Sequence, residues 1–261
     1  MRLLFVGDIV GKPGRRGVQR VVPDLIQNAE IDFVVANCEN SSGGIGVDPG
    51  TAREILAAGA DVLTSGNHIW AKRDIHEYLR DSDVLIRPAN FAPDTPGWGF
   101  TVKTSRTGIK VGVLNLIGRV FMGTYDCPFR AADAALASMR EQTPIIFVDM
   151  HAEATSEKVA MGWHLDGRVS AVVGSHTHVQ TADDRVLPAG TAYLTDAGMC
   201  GPLNSVIGMR REPVLQRFLT QMPSRFEVAS GPALVQGAIV DIDETTGHAT
   251  AIERVQRTIE G

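Results

Sequence analysis

The sequence predicts a layered α/β domain in which parallel strands come early in the chain and antiparallel strands come late. Two strand–loop–helix units open the chain, short strands of buried type alternate with helices in its middle, and strands dominate its final part. No internal repeat, low-complexity tract or long linker interrupts this pattern. We therefore expect residues 1–261 to form a single domain.

The first unit combines an apolar strand with an apolar helical face. Residues 3–6 predict the strand, and the glycine-rich residues 7–14 predict a turn. The helix that follows has apolar side chains at the spacing i, i+3, i+4, i+7 and i+8. Those side chains are Val18, Val21, Val22, Leu25 and Ile26.

The second unit repeats this order and leads into a third strand. Residues 33–36 predict a strand, residues 41–46 a glycine-rich loop, and Asp48 the N-cap of a helix that has proline at its first position. Gly59 lies just past the end of this helix, and residues 61–65 predict the third strand.

The rest of the chain is assigned by the same criteria. After a loop rich in proline and glycine, the predicted elements are a hairpin of strands over 100–103 and 110–115, a helix over 131–141, a strand over 145–148, a helix over 155–163, a strand over 171–173, and late strands over 193–194, 233–242 and 250–255.

Composition excludes several classes of protein. The chain is 44% hydrophobic and 21% charged, which excludes a disordered or fibrous protein. Its longest stretch without a charged side chain, residues 169–182, has 14 residues, whereas a membrane-spanning helix needs about 20 apolar ones. The N-terminus has no apolar stretch of the length that a secretory signal needs. We expect a cytoplasmic protein that does not associate with membranes.

Cysteine content and net charge narrow the possible partners. Cys38, Cys127 and Cys200 are odd in number and widely spaced, which argues against a disulfide framework and a thiolate zinc site. Any metal would therefore be held by oxygen and nitrogen. The net charge of −5 gives no general attraction to duplex nucleic acid.

Side chains that can bind metals follow five of the predicted strands. They are Asp8, then Glu39 and Asn40, then Asn67 and His68, then His151, and finally His176 and His178. The carboxyl ends of parallel strands lie along one edge of an open α/β sheet, where such folds bind ligands. Five segments are thus predicted to converge on one crevice.

The pair His176 and His178 is the sharpest local signal. The two imidazoles lie in a charge-free run, which favours the neutral, metal-binding form. The glycine-rich loops suggest an alternative, a phosphate cradle, but their spacing fits neither the dinucleotide fingerprint nor the P-loop. Asp8 would also repel a pyrophosphate unless a cation lay between them.

These residues lie in a series of motifs that resembles a known family. The motifs are GD at 7–8, NCEN at 37–40, SGNH at 65–68, DMHAEATSEK at 149–158, GSHTH at 174–178 and TDAGMCGP at 195–202. In this order, over nearly the whole chain, they resemble the calcineurin-like metallophosphoesterases, and closely their YmdB-type branch.

The resemblance implies a four-layer α/β/β/α sandwich with two metal ions. Carried over position by position, Asp8, Asn40 and His178 would hold one ion, Asn67, His151 and His176 the other, and Glu39 would bridge them. His68 would be the general acid. Such oxygen and nitrogen donors suit iron or manganese, with zinc as a further candidate.

Three positions depart from the wider superfamily and match the YmdB-type branch. Val10 stands where the first motif usually has a histidine, so Asn40 must supply that ligand. Glu39 replaces the more common bridging aspartate, and Ile69 follows the Asn-His pair where an acidic residue is common. In this branch, activity has been associated with cyclic nucleotides.

The resemblance therefore implies a dinuclear phosphodiesterase acting on a small phosphodiester, such as a 2′,3′-cyclic or 3′,5′-cyclic nucleoside monophosphate. A metal-bridging hydroxide would attack, and His68 would protonate the leaving oxygen. Two alternatives stay open: a phosphomonoesterase acting on a small phosphorylated metabolite, and a metal-containing nucleotide-binding regulatory protein with little turnover. The composition permits a homo-oligomer.

The remaining polar and aromatic candidates have weaker support. Carboxylates that orient the imidazoles are expected among Asp149, Glu153, Asp183 and Asp196, with Asp196 favoured. Cys38 is expected to pack in the core on the face opposite Glu39. Stacking of a base on Trp70, Trp98 or Phe121 is an alternative to ordinary burial.

Overall fold

A computed structural model describes residues 1–260 of the chain as an alternation of strands and helices. Its strands are β1 (Arg2–Val6), β2 (Asp8–Ile9), β3 (Phe33–Asn37), β4 (Val62–Thr64), β5 (Phe100–Thr104), β6 (Lys110–Ile117), β7 (Ile146–His151), β8 (Ala171–Ser175), β9 (Arg185–Val186), β10 (Ala192–Leu194), β11 (Met199–Pro202), β12 (Ala233–Ile242) and β13 (Ala249–Ile259). Its helices are α1 (Gly11–Asn28), α2 (Pro49–Ala57), α3 (Ile75–Asp81), α4 (Pro128–Met139), α5 (Thr155–Leu165) and α6 (Arg211–Thr220), with one 3₁₀ turn at Ile69–Ala71.

The strands form two mixed sheets. In the first, the order is β2-β11-β12-β1-β3-β4, with β13 paired to β12; β1, β3 and β4 are parallel, whereas β12 is antiparallel to β1, β11 and β13. In the second, the order is β5-β6-β7-β8-β10-β9, with a parallel centre and antiparallel strands at both edges. The predicted division into early parallel and late antiparallel strands is confirmed for the first sheet.

Alternating side chains assign the faces of each strand to different layers. Leu3 and Phe5 of β1 point between the two sheets, where the Phe5 ring lies 5.0 Å from that of Phe147. Leu4 and Val6 point the other way, into the apolar cluster that includes the buried face of α1. The outer face of the second sheet packs against α4 and α5. The chain is therefore a four-layer α/β/β/α sandwich, as predicted.

Sequence patterns placed most helices and strands correctly, but two helices begin earlier than predicted. The turn predicted over residues 7–14 instead contains β2 and the first residues of α1, which begins at Gly11. Glycine at position 14 serves close packing, because a Cβ there would lie 2.1 Å from the Cys200 carbonyl oxygen. The helix predicted over 131–141 begins earlier, at Pro128, because proline is favoured in the first helical turn.

Several short elements had no usable pattern. They are β2, β9, β11 and α6. Within residues 1–260, no helix combines the length and apolarity that crossing a membrane would require.

Candidate metal centre

The carboxyl ends of strands from both sheets meet at one edge of the sandwich. Asp8 lies in β2, Glu39 and Asn40 follow β3, and Asn67 and His68 follow β4, all in the first sheet. The second sheet contributes His151 as the last residue of β7, and His176 and His178 just after β8. All eight side chains singled out in the sequence are brought together.

One half of the cluster joins Asp8, Asn40 and His178. His178 Nε2 lies 3.2 Å from Asn40 Nδ2 and 3.9 Å from Asp8 Oδ1. The other carboxylate oxygen of Asp8, Oδ2, accepts the backbone N–H of His176 at 3.0 Å. Asp8 is fully buried, and its Oδ1 has no hydrogen-bond partner.

The other half joins Asn67, His151 and His176 around a single atom. His151 Nε2 lies 3.1 Å from Asn67 Oδ1 and 3.1 Å from His176 Nδ1. Glu39 Oε1 lies 3.2 Å from the same nitrogen. One nitrogen carries at most one proton, so hydrogen bonding satisfies at most one of these three contacts. Glu39, His151 and His176 have ligand atoms within 4.8 Å of one another.

Glu39 lies between the two halves. Its Oε1 also accepts the Asn40 amide Nδ2–H at 3.2 Å, and its Oε2 accepts the His68 backbone N–H at 3.1 Å. The side chain is fully buried. A carboxylate that reaches both groups of potential ligands in this way has the placement that a bridging ligand needs.

His68 stands at the rim of the cluster. Its side chain is 37% exposed, whereas Glu39 beside it is buried. His68 Nδ1 lies 2.8 Å from Asn40 Oδ1 and 3.4 Å from Glu39 Oε1. The imidazole is thus held close to the buried carboxylate while part of the ring faces solvent.

Asp149 and Ser175 set the tautomer of His151. The Ser175 hydroxyl donates to Asp149 Oδ1 at 2.6 Å and lies 2.9 Å from His151 Nδ1. Because the hydroxyl proton is used on Asp149, its oxygen accepts from His151 Nδ1–H. This arrangement leaves Nε2 of a neutral His151 with a free lone pair, the form that binds metals.

Asp196 holds the segment between the two histidines. Its Oδ2 accepts the Thr177 N–H at 3.1 Å, the Thr177 hydroxyl at 2.8 Å and Lys158 Nζ at 2.6 Å. Its Oδ1 accepts the Gly198 N–H at 2.9 Å. The sequence favoured Asp196 as the carboxylate that orients an imidazole; instead it fixes the backbone, and Asp149 reaches His151 through Ser175.

The backbone at both histidines is unusual. His176 and His178 have φ angles of +100° and +64°, so both lie in the left-handed half of conformational space, and their side chains fan out from the end of β8. Strain of this kind persists only where surrounding contacts enforce it. His178 Nδ1 lies 2.9 Å from the carbonyl oxygen of Ile207, which orients that ring.

Burial and mutual charge set the protonation of the cluster. Burial alone would lower the pKa of His151, but Glu39 and Asp8 outweigh it and raise the pKa to about 9. Burial, together with the charge on His151, lowers the pKa of His176 to about 3. Burial raises the pKa of Asp8. The crevice therefore favours a positive charge, which a proton on His151 supplies in the metal-free chain.

The donors present fit metal ions. Asp8 Oδ1 is buried without a partner, and three potential ligand atoms face His151 Nε2. Gly66 provides the space, because a Cβ there would lie 2.2 Å from His151 Nε2 and 2.5 Å from Glu39 Oε2. The donors are carboxylate, amide oxygen and imidazole, a set suited to divalent first-row metals.

The secondary candidates lie as follows. Cys38 is buried in the core as predicted, and burial raises the pKa of its thiol. Glu153 Oε2 lies 3.2 Å from His176 Nε2, whereas Asp183 bonds to Thr181 and Thr195, away from the imidazoles. Sequence patterns missed Ser175, whose role depends on packing between β7 and β8.

Among the aromatic candidates, Trp70 is half-buried against Phe91. Trp98 and Phe121 are exposed. Stacking of a base on any of the three therefore stays a prediction.

Comparison with known proteins supports the same reading of the motifs. A family model described as YmdB-like protein matches residues 4–255. The chain is 48% identical over 255 residues to the 2′,3′-cyclic-nucleotide 2′-phosphodiesterase of Bacillus subtilis (strain 168), covering 98% of this chain and 96% of that protein.

Solved structures agree. A crystal structure described as a novel phosphatase from Mycoplasma pneumoniae matches with a TM-score of 0.92 and 30% identity, covering 100% of this chain and 94% of that one. The calcineurin-like phosphoesterase YfkN from Bacillus subtilis matches with a TM-score of 0.53 and 11% identity, covering 100% and 90% of the two chains, and shows the likeness of fold alone. The resemblance seen in the motifs is confirmed.

Proposed function

The chain belongs to the YmdB-like protein family, and from this membership we propose that it is a metal-dependent phosphodiesterase that hydrolyses cyclic nucleotides. The substrates we propose are 2′,3′-cyclic or 3′,5′-cyclic nucleoside monophosphates. Phosphoesterase activity follows from the relatives, which are described as phosphodiesterase or phosphatase. The assignment of the ligands to two metal ions, the identity of the metals and the identity of the substrate are all parts of this proposal.

Two ions would share seven protein ligands. Asp8, Asn40 and His178 would hold the first, Asn67, His151 and His176 would hold the second, and Glu39 would bridge them. As placed, Asn40 turns Nδ2 toward His178 and Oδ1 toward His68. A half-turn of the amide would present the oxygen to the first ion, in exchange for the hydrogen bond that Nδ2 donates to Glu39 Oε1.

The observation that carries the proposal is the set of unsatisfied ligand atoms at the junction of the sheets. Asp8 Oδ1 has no partner, and His151 Nε2 faces three potential ligand atoms within 3.2 Å. Buried polar atoms are normally hydrogen-bonded, and an exception points to an ion-binding or other functional role. A bound cation would accept electron pairs from the carboxylate oxygens and the imidazole nitrogens at the same time.

When bound, the two ions would supply a nucleophile derived from water and positive charge opposite the phosphoryl oxygens. The protein's own contribution is positioning. His68, held beside Glu39 with part of its ring exposed, donates a proton to the leaving oxygen. A phosphodiester needs this proton because an alkoxide leaves poorly. Asp149 and Ser175 keep Nε2 of His151 free.

The remaining features of the proposal concern the protein as a whole. Iron or manganese would occupy the site, with zinc as a further candidate. The net charge of −5 favours a small substrate over duplex nucleic acid. We also propose that residues 1–261 act as one domain and that the protein works in the cytoplasm.

The test is metal analysis of freshly purified protein combined with ester hydrolysis. Bis-p-nitrophenyl phosphate, p-nitrophenyl phosphate and a panel of cyclic nucleotides are each assayed with and without added Mn²⁺. Two ions per chain with a preference for diesters supports the proposal. Preference for the monoester would replace it by a phosphomonoesterase, and bound metal without turnover would indicate a nucleotide-binding protein.

A further inference from the structure

A cavity of about 480 Å³ lies between the exposed face of α1 and the turn that leads into β12. One wall carries the basic side chains Lys12, Arg16 and Arg20 of α1, and the other is formed by residues 228–231. Among residues 1–260, Glu260 is the only acidic residue in the lining. Ligand pockets have volumes of about 300–1,000 Å³. No residue of the candidate metal centre lines this cavity, so the two are separate.

The three basic residues share one face of α1 because they are spaced four residues apart. Successive members are separated by about 6 Å along the helix axis, and like charges at this spacing repel and destabilise a helix. The first turn of α1 contains no acidic residue that would offset Lys12 at the positive end of the helix dipole. This arrangement is unfavourable for the chain alone, and an anion in the cavity would relieve it.

The three basic side chains have no acidic partner in the described part of the chain. No carboxylate oxygen of residues 1–260 lies within 4.0 Å of their side-chain nitrogens, and this includes Glu260. By contrast, Arg15 of the same helix binds Glu54 at 2.6 Å and does not line the cavity. Asp24, one turn beyond Arg20, accepts a hydrogen bond from a side chain of its own helix instead. The unpaired positive charge of α1 is therefore concentrated at the cavity.

The opposite wall offers hydrogen-bond donors. Among the hydrogen bonds within residues 1–260, none uses the backbone N–H of Ser230, the Ser230 hydroxyl or the backbone N–H of Gly231. Gly231 has a φ angle of +107°, and no atom lies within 4 Å of the position that its Cβ would take, so its backbone can be approached closely. Basic side chains and free backbone N–H groups are the donors that bind phosphate oxygens in proteins.

Packing holds both walls of the cavity in place. A Cβ at Gly17 would lie 2.7 Å from Val235 Cγ2, which shows that α1 lies tightly against β12. The Ala229 N–H donates to the Gly208 carbonyl oxygen at 3.0 Å, which ties down the turn. The space between the helix and the turn is therefore defined by the fold.

We propose that this cavity binds an organic polyphosphate of the nucleoside triphosphate class. Lys12, Arg16 and Arg20 bind the phosphates, and the apolar part of the lining, which includes Val228 and Ile259, contacts the sugar and the base. Three unpaired cations at one cavity favour a ligand with several phosphates over one with a single phosphate. The net charge of −5 favours a small molecule over a nucleic acid strand.

Calorimetric titration of ATP into the purified protein tests the assignment. Arg16→Gln and Arg20→Gln each remove one charge and keep a residue that favours helix. We expect each to weaken ATP binding about tenfold, because one hydrogen bond between charged groups contributes roughly that factor. Arg130→Gln in α4 removes an exposed arginine that does not line the cavity and should leave the affinity unchanged.

Ser230→Trp distinguishes a defined site from a general attraction to basic side chains. The substitution fills the cavity from its exposed turn and leaves all three cations in place. We expect ATP binding to be lost in this variant because the indole takes the space of the ligand. Unchanged binding would overturn the proposal, since it would show non-specific attraction to a basic surface.

Asp8→Ala separates this cavity from the metal centre. ATP binding should persist in this variant, and its loss would place the nucleotide at the metals and overturn the proposal. Absence of ATP binding to the wild type would do the same. Tighter binding of a single-stranded oligonucleotide, weakened by Arg16→Gln and Arg20→Gln, would replace the small molecule by a nucleic acid. None of these readouts depends on turnover, so failure of the proposed phosphodiesterase activity would leave the test intact.

Discussion

Lys158 Nζ lies 2.6 Å from Asp196 Oδ2, and both side chains are buried. Asp196 also accepts two hydrogen bonds from Thr177, the residue between His176 and His178. An ion pair between α5 and the end of β10 thereby fixes the backbone that presents two potential metal ligands. The residues on both sides of Thr177 have left-handed backbone conformations.

We expect Lys158→Met to destabilise the protein by about 3–5 kcal/mol, because it leaves the Asp196 carboxylate buried without its partner. Urea unfolding measures the change. Lys103→Met breaks the exposed pair between Lys103 and Asp83 and should cost at most about 1 kcal/mol. Equal effects of the two substitutions would contradict the assigned role of the buried pair.

His68→Ala should lower turnover of a phosphodiester by about 10²–10⁴-fold, because the leaving oxygen loses its proton donor. Metal content should be unchanged, since His68 lies at the rim of the cluster. His248→Ala, in an exposed turn away from the site, is the control and should keep full activity. Unchanged turnover in His68→Ala would refute the general-acid assignment.

Asp8→Ala should reduce metal content by about one ion per chain, as measured by elemental analysis after dialysis. The substitution removes Oδ1, the buried carboxylate oxygen without a hydrogen-bond partner. Asp94→Ala, in a surface loop, provides a control for the loss of one carboxylate. Full metal retention in Asp8→Ala would show that the ligand set is wrong.

The metal-free protein should lose stability as the pH rises from 7 to 9. The pKa of His151 is raised from 6.5 to about 9 in the folded chain by Glu39 and Asp8 against the effect of burial. Its contribution to stability is therefore fully present below pH 6.5 and is lost as the pH rises through 9. One such proton gives a slope of at most about 1.4 kcal/mol per pH unit.

Thermal unfolding in EDTA across this pH range measures the slope, and His151→Gln should flatten it. His176 does not contribute in this window, because burial and the charge of His151 lower its pKa to about 3. Metal binding displaces the same proton, so calorimetry at pH 7.5 should detect proton release. A stability curve that is the same in the variant and the wild type would contradict the protonation of His151.

Periodicity was enough to predict a layered α/β domain because each strand and helix carries its own burial pattern, whereas the four-layer arrangement was implied by the resemblance to the metallophosphoesterases. The apolar spacing from Val18 to Ile26 predicted α1, and polar residues at strand ends predicted which segments meet. The start of α1 was misplaced because Gly14 reads as a turn residue but packs against the Cys200 carbonyl. That contact depends on β11, which no local pattern indicates.

The residues around the candidate site were less predictable than those within it. Asp149 and Asp196 are both buried carboxylates near imidazoles, and only the packing of β7 against β8 shows that Asp149 reaches His151 through Ser175. Ile207 has no distinguishing sequence signal, since its role depends on a backbone carbonyl and a strained φ angle.

The division of the site between two sheets makes any bound ion a cross-link through the sandwich. Asp8 and Glu39 come from the first sheet and His151 and His176 from the second, so ions shared among them tie the two halves of the core together. A ligand present at a hundred times its dissociation constant adds about 2.7 kcal/mol to the free energy of unfolding. Loss of metal would therefore ease separation of the sheets and expose the chain to proteolysis, coupling the lifetime of the protein to metal supply.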